Sequence, residues 1–387
     1  MFFGADNPWA IAALWLALAV GAAFLATRFG LAAALVEILL GVAAGNTIHL
    51  QSNTWIDFLA GFGSLMLTFL AGAEIEPTVL RAQLKPAAII GFLSFFSPFA
   101  CAFLFAYFVL HWQLDAAKIA GIAMSTTSVA VVYAVMVESR LAASNFGQLI
   151  LAACFITDLG TVVALGLLFA NYNWWLILMV VAICLAFAFT PRLLAAVFAA
   201  TSKRVSEPGM RVLFLIIVLL AATATAAHSE GVLPAYFLGL ACAGFLLSQP
   251  EISRRIRSMA MGFFTPFYFL KAGTLVSLSA AWAGIGIIAA LFVVKVGAKI
   301  FAVFPAARAL GHPQKNASYL TLMMATGLTF GTISSLYGLT HGYITQAQYT
   351  ALVTVVILTA IVPTIIAQVA YHPAEHVEDE PEIIGVP

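Results

Sequence analysis

At 387 residues, with 63% apolar and 9% charged side chains and a formal net charge of +1, the chain lies far from soluble domains, which average about 45–50% and 25%. Its mean hydropathy of +1.05 excludes an ordinary water-soluble fold and indicates a polytopic membrane protein, with the lipid bilayer as partner and no nucleic acid. Cys101, Cys154, Cys184 and Cys242 all lie in apolar stretches without CxxC spacing, which excludes a disulfide framework and a cysteine metal site.

Runs of about 17–25 mainly apolar residues can cross about 30 Å of hydrocarbon. Thirteen are predicted, near 7–26, 31–49, 54–73, 86–110, 115–138, 145–170, 173–190, 210–228, 231–248, 259–280, 282–304, 316–339 and 346–370. The first lacks a basic segment before its apolar run, so it is read as a retained span and not a cleavable signal. Cytoplasmic loops collect Lys and Arg. Arg28, Arg81, Lys85, Arg140, Arg192, Lys203, Arg204, Arg211, Arg254, Arg255, Arg257, Arg308 and Lys315 all follow odd-numbered spans, and only Lys118 falls at an even-numbered loop. This alternation predicts a multi-pass protein of the cell inner (plasma) membrane, with its N-terminus outside and a short acidic tail, 372–387, in the cytoplasm.

An internal match recurs at an offset of 200 residues. "TFLAGAEIEP" at 68–77 lies over "YFLKAGTLVS" at 268–277, and "MSTTSVAVV" at 124–132 over "MATGLTFGT" at 324–332. The offset spans an odd number of crossings, seven, so the second copy is upside down; inverted repeats are characteristic of secondary transporters, whose sites lie near the midplane. Thr, Ser and Gly cluster at mid-depth in the second pair of stretches. Two readings fit: small-residue helix packing, or a pair of helices broken where backbone groups line a cavity. The predicted fold is therefore all-α, with about thirteen transmembrane helices, an inverted repeat and two crossed, broken helices.

Asp158, in "FITDLGTVV", stands about halfway along the sixth span. A carboxylate there costs about 2.5–3.5 kcal/mol on insertion scales, which marks a functional site by default. A buried ion pair with a lysine is the alternative reading. Lys295 and Lys299 share one face of the eleventh span at i, i+4, in its inner half, where either can snorkel inward. Lys271 is placed near the centre of the tenth span, while Glu37 and Glu74 read as interfacial or helix-packing residues.

The ordered segments "ILLGVAAGN", "LTFLAGAEIEP", "STTSVAVVYAVM", "ILAACFITDLGTVVALG", "LPAYFLGLACAGFLLS", "FTPFYFLKAG" and "KIFAVFPAARALG" resemble the monovalent cation:proton antiporters. The resemblance is greatest to the bacterial branch of NapA-type sodium/proton antiporters and Kef-type potassium efflux systems, and it covers nearly the whole chain. It implies a homodimer working as an elevator, with a core part at about 86–170 and 282–370, a dimerisation part at about 7–73 and 210–280, and a linker helix near 173–190, all within a transmembrane domain of residues 1–371. It also implies that Asp158 is the ion- and proton-binding aspartate, that Thr126, Thr127 and Ser128 form the unwound part of the crossed helix, and that Lys299 is the charge-balancing lysine. Lys295, Lys271 and Thr326 are accessory candidates. Thr157 departs from the acidic, Asn or Gln residue of relatives, Leu328 stands near a position often acidic in them, and no Kef-type nucleotide-binding domain is expected.

These residues lead to an expectation of Na⁺ or K⁺ exchange for H⁺, with Asp158 binding either the proton or the monovalent cation, no cofactor, and an electroneutral cycle because one carboxylate carries one charge. Hard oxygen ligands suit alkali cations. A sodium-coupled organic-anion symporter on a related inverted-repeat fold is the competing reading, and a passive cation channel a third. An enzyme is not expected, since no HExxH, GxSxG or clustered His/Asp motif occurs in the spans.

Overall fold

The computed structural model describes residues 7–29, 32–50, 52–73, 83–139, 141, 144–169, 174–201, 207–227 and 231–373. Glu74, Arg81, Arg140, Lys203, Arg204 and most of the acidic tail therefore lie outside the described residues.

In chain order the helices are α1 (Pro8–Phe29), α2 (Ala33–Thr47), α3 (Thr54–Ala73), α4 (Leu84–Leu104, continued by a wider π turn, Phe105–Val109), α5 (Leu114–Ser125), α6 (Val129–Glu138), α7 (Asn145–Leu168) and α8 (Trp174–Thr201). After these come α9 (Pro208–Ala226), α10 (Val232–Ser248), α11 (Pro250–Met259), a π turn at Ala260–Phe264, α12 (Thr265–Thr274), α13 (Leu278–Ala283), α14 (Ile285–Ala309), α15 (Gln314–Met324), α16 (Thr329–Thr340) and α17 (Gln346–Ala370). Nine stretches among the described residues are long and apolar enough to cross a membrane, and α2 and α10 are shorter apolar helices. With the α5–α6 pair and the α11–α12 run, each of the thirteen predicted spans is occupied by helix.

Local chemistry explains the ends. Ser144 caps α7 by accepting from the Gly147 amide at 3.0 Å, and Thr345 with Gln348 forms a reciprocal capping box on α17. Two spans differ from expectation. α8 continues past 190 to Thr201, which takes Arg192 into the helix, and the tenth crossing begins earlier, as α11 feeds straight into α12. Lys271 consequently sits in the last turn of α12 and not at mid-span.

The offset of 200 governs the architecture. α1 to α7 correspond in order to α9, α10, the α11–α12 run, α14, α15, α16 and α17, with α8 as the linker between two copies of six spans. The copies interlock through equivalent pairs: α2 packs on α12 and α3 on α10. Both crossings are set by glycines. A Cβ on Gly41 or Gly273 would strike the facing backbone of α12 or α2, and one on Gly72 or Gly239 that of α10 or α3. Such contact lets helices associate without a hydrophobic driving force between them.

α1–α3 and α8–α12 pack mainly among themselves, and α4–α7 mainly with α14–α17. In the second set α5 stops at Ser125, where Thr126 takes an extended backbone (ψ 149°), and α15 stops at Met324 before α16 begins at Thr329. Twelve residues of α5 reach only about 18 Å, short of a crossing, so each broken span is completed by its second half.

Candidate ion-binding site

The two breaks cross. The Ser128 amide donates to the Thr326 carbonyl at 3.2 Å, Thr127 Oγ1 donates to the Met324 carbonyl at 2.9 Å, and the Ser128 and Thr329 hydroxyls stand 3.5 Å apart. Contacts between residues about 200 apart are what a two-fold axis through the crossing requires. Ser97 Oγ on the Ala298 carbonyl, at 3.0 Å, repeats the relation between α4 and α14. The clustered hydroxyls thus mark helix breaks and not mere close packing.

Asp158, on α7, is 2% exposed. Its Oδ1 has no hydrogen-bond partner, which in a buried carboxylate is costly unless something else occupies the position. Thr157 Oγ1 gives its proton to the Ala153 carbonyl at 2.8 Å, which leaves its oxygen able only to accept further. Cys154, one turn earlier, sets its sulfur 3.8 Å from that of Met324. Among the described residues no group of three or more His, Cys, Asp or Glu could hold a metal ion. The donor set is one carboxylate, hydroxyls and the carbonyls freed at the breaks, chemistry that suits an alkali cation.

The two lysines of α14 are both fully buried but differ in their surroundings. Lys299 Nζ donates to Ser94 Oγ at 2.7 Å, the Ser125 carbonyl at 2.9 Å and Thr127 Oγ1 at 3.0 Å, spending all three protons. It thereby caps the negative C-terminal end of α5. It also lies within electrostatic reach of Asp158, although no ion pair joins them. Lys295 Nζ has no hydrogen-bond partner and lies against Gly327, where a Cβ would collide with it.

Lys271 pairs with Asp57 at 2.8 Å, at the start of α3, away from the crossing. Thr126 and Thr326 hydroxyls bond back to their own helices, on the Ala123 and Met323 carbonyls at 3.1 and 2.8 Å, and that of Thr126 lies beside Gly327 and Gly331. Glu37 is buried within α2 and not at an interface with water. Sequence reading missed Ser94, whose only signal is a hydroxyl in the aromatic run "FLSFFSPFA", and Tyr236, whose hydroxyl donates to the Phe155 carbonyl of α7 at 3.3 Å.

Comparison with known proteins agrees with this architecture. The chain is 27% identical over 262 residues to the putative Na(+)/H(+) antiporter YjbQ of Bacillus subtilis, a match covering 61% of this chain but only 42% of that longer protein. It is 23% identical over 331 residues to the probable Na(+)/H(+) antiporter 3 of Methanocaldococcus jannaschii, covering 82% and 84% of the two chains. The solved structure of the sodium proton antiporter MjNhaP1 from the same archaeon, at 16% identity, superposes over 92% of this chain and 95% of that one with a TM-score of 0.67, which establishes the shared fold. The transmembrane sodium/hydrogen exchanger family matches residues 15–370, and this chain belongs to that family.

Proposed function

We propose that the chain is a secondary active antiporter that exchanges Na⁺ or K⁺ for protons by alternating access, with the two substrates competing for Asp158. The observation that carries this is the unpartnered, buried Oδ1 of Asp158, on the helix whose Cys154, one turn earlier, meets Met324 at the end of α15. In this reading a proton or a cation neutralises the carboxylate in turn, while Thr157, Thr126, Thr127, Ser128 and the freed carbonyls replace the cation's hydration shell. Lys299, held by its three acceptors, balances the carboxylate when neither substrate is bound. One carboxylate holding one charge at a time gives one-for-one, electroneutral exchange.

The set containing α4–α7 and α14–α17 is taken to carry the ion, moving as an elevator against the set containing α1–α3 and α9–α12, with α8 as linker, in a homodimer of the plasma membrane whose N-terminus is outside. Support comes from the family, the names of its relatives and the separate packing of the two sets. The test uses purified protein in liposomes with an imposed proton gradient and a trapped pH dye, to which Na⁺, K⁺ or choline is added, for wild type and Asp158→Asn. Cation-dependent loss of the gradient in the wild type alone is the expected result. Exchange by Asp158→Asn at the wild-type rate would refute the assignment, and no response to either cation at any pH would turn attention to organic-anion symport.

A further inference from the structure

Tyr236 belongs to one helix set and reaches into the other at the ion site. It is fully buried. Its backbone is fixed by the first set, because α10 lies against α3 at Gly72 and Gly239, where the Tyr236 carbonyl itself fills the space a Cβ on Gly72 would take. From this base the side chain crosses to the second set. The hydroxyl meets the Phe155 carbonyl of α7 at 3.3 Å, three residues before Asp158 and on the same helical face. The ring stands edge-on to Phe330, in the first turn of α16, with centroids 6.4 Å apart. Tyr236 and Asp158 are close enough to interact electrostatically.

A single phenol from one set therefore touches both helices that form the ion seat in the other. We propose that Tyr236 is a positioning residue that seals Asp158 from the crevice between the two sets and must release α7 before the ion-carrying set can move. This rests on the exchange reading above. An aromatic ring suits such a seal, since it covers a large area with only two side-chain torsions to fix. The bond to Phe155 is long and neutral, so water can replace it at small cost as the sets part.

The test reads the water accessibility of Asp158 with a water-soluble carbodiimide, followed by mass spectrometry of the peptide, and does not depend on transport. In the wild type Asp158 should react far more slowly than Asp115, whose side chain is 49% exposed. A state open only about 0.1–10% of the time leaves room for Tyr236→Ala to accelerate the reaction about ten- to a thousandfold. Tyr236→Phe keeps the ring and loses one hydrogen bond, so its gain should stay near fivefold. Rates for folded Tyr236→Ala within twofold of wild type would overturn the proposal. Wild-type Asp158 reacting as fast as Asp115 would overturn it without any variant. Because labelling needs no exchange, a failed seal and a failed antiporter assignment are distinguishable: the second is judged by Asp158→Asn in liposomes.

Discussion

Replacing Lys299 with Met should destabilise the protein, whereas the same change at Lys295, one turn away, should not. Methionine preserves most of the apolar stem and removes the ammonium. At position 299 this orphans three acceptors. The Ser94 hydroxyl can rotate to a new partner, and Thr127 Oγ1 already donates to Met324 at 2.9 Å, so those losses are small. The Ser125 carbonyl, at the end of α5, cannot turn away; a buried acceptor left bare costs about 1–3 kcal/mol, to which loss of a cation at a helix C-terminus adds about 0.3–1 kcal/mol. Release of a buried charge from its desolvation offsets part of this, leaving a net loss of about 1–3 kcal/mol. At position 295 no acceptor is orphaned, and replacing an unpartnered buried amine by an apolar chain of similar length is neutral or stabilising. The assay is thermal unfolding in detergent of both variants and of Ser94→Ala alone and combined with Lys299→Met. The combined variant should show a coupling of about 0.5 kcal/mol or more. If Lys299→Met proves as benign as Lys295→Met, or if Ser94→Ala adds to it independently, the three-bond account of Lys299 is wrong.

The interlocked crossings make a second contrast, within α10. Gly239→Ala should cost about 1–3 kcal/mol by overpacking against α3, while Gly244→Ala, where nothing lies within 4 Å, should hold or gain slightly from helix propensity; equal unfolding temperatures for the two would refute the packing. A third prediction concerns His312, in the loop between α14 and α15, against the Phe146 ring at 5.5 Å. Burial holds its imidazole below the usual value of 6.5, so on acidification the unfolded chain takes up this proton first and the folded state loses stability as the pH falls through 6.5. Unfolding temperatures compared between about pH 5 and 8 should fall less steeply on the acid side for His312→Gln than for wild type, and parallel curves would show that the ring contributes nothing.

Much of the architecture was legible because it is written locally. Hydropathy over about twenty residues decides whether a helix can cross a bilayer, whereas Thr, Ser and Gly at mid-depth fit close helix packing as well as a break, and only their recurrence at the 200-residue offset favoured the break. The 200-residue offset gave the inverted repeat and the pairing of its two broken helices, while the packing of α2 on α12 and of α3 on α10 came from the structure. Asp158 was conspicuous for the same local reason, a charge in the middle of an apolar run.

What the sequence alone left open depends on partners far along the chain. Spacing put Lys295 and Lys299 on one face, but only the fold gives one of them Ser94, Ser125 and Thr127, 172 to 205 residues away, and leaves the other with none. Lys271 reads as a mid-span charge when the tenth crossing is placed at 259–280; the run of α11 into α12 moves it to a helix end, 2.8 Å from Asp57. Tyr236 carried no signal, since a tyrosine in an apolar helix is ordinary until the helix opposite it is known. The sequence thus determined that this protein spans the membrane, which two crossings gather Thr, Ser and Gly at mid-depth and which carboxylate stands in the middle of an apolar run. Tertiary structure alone decided which side chains hold that site's charges, because those contacts join residues that no local pattern relates.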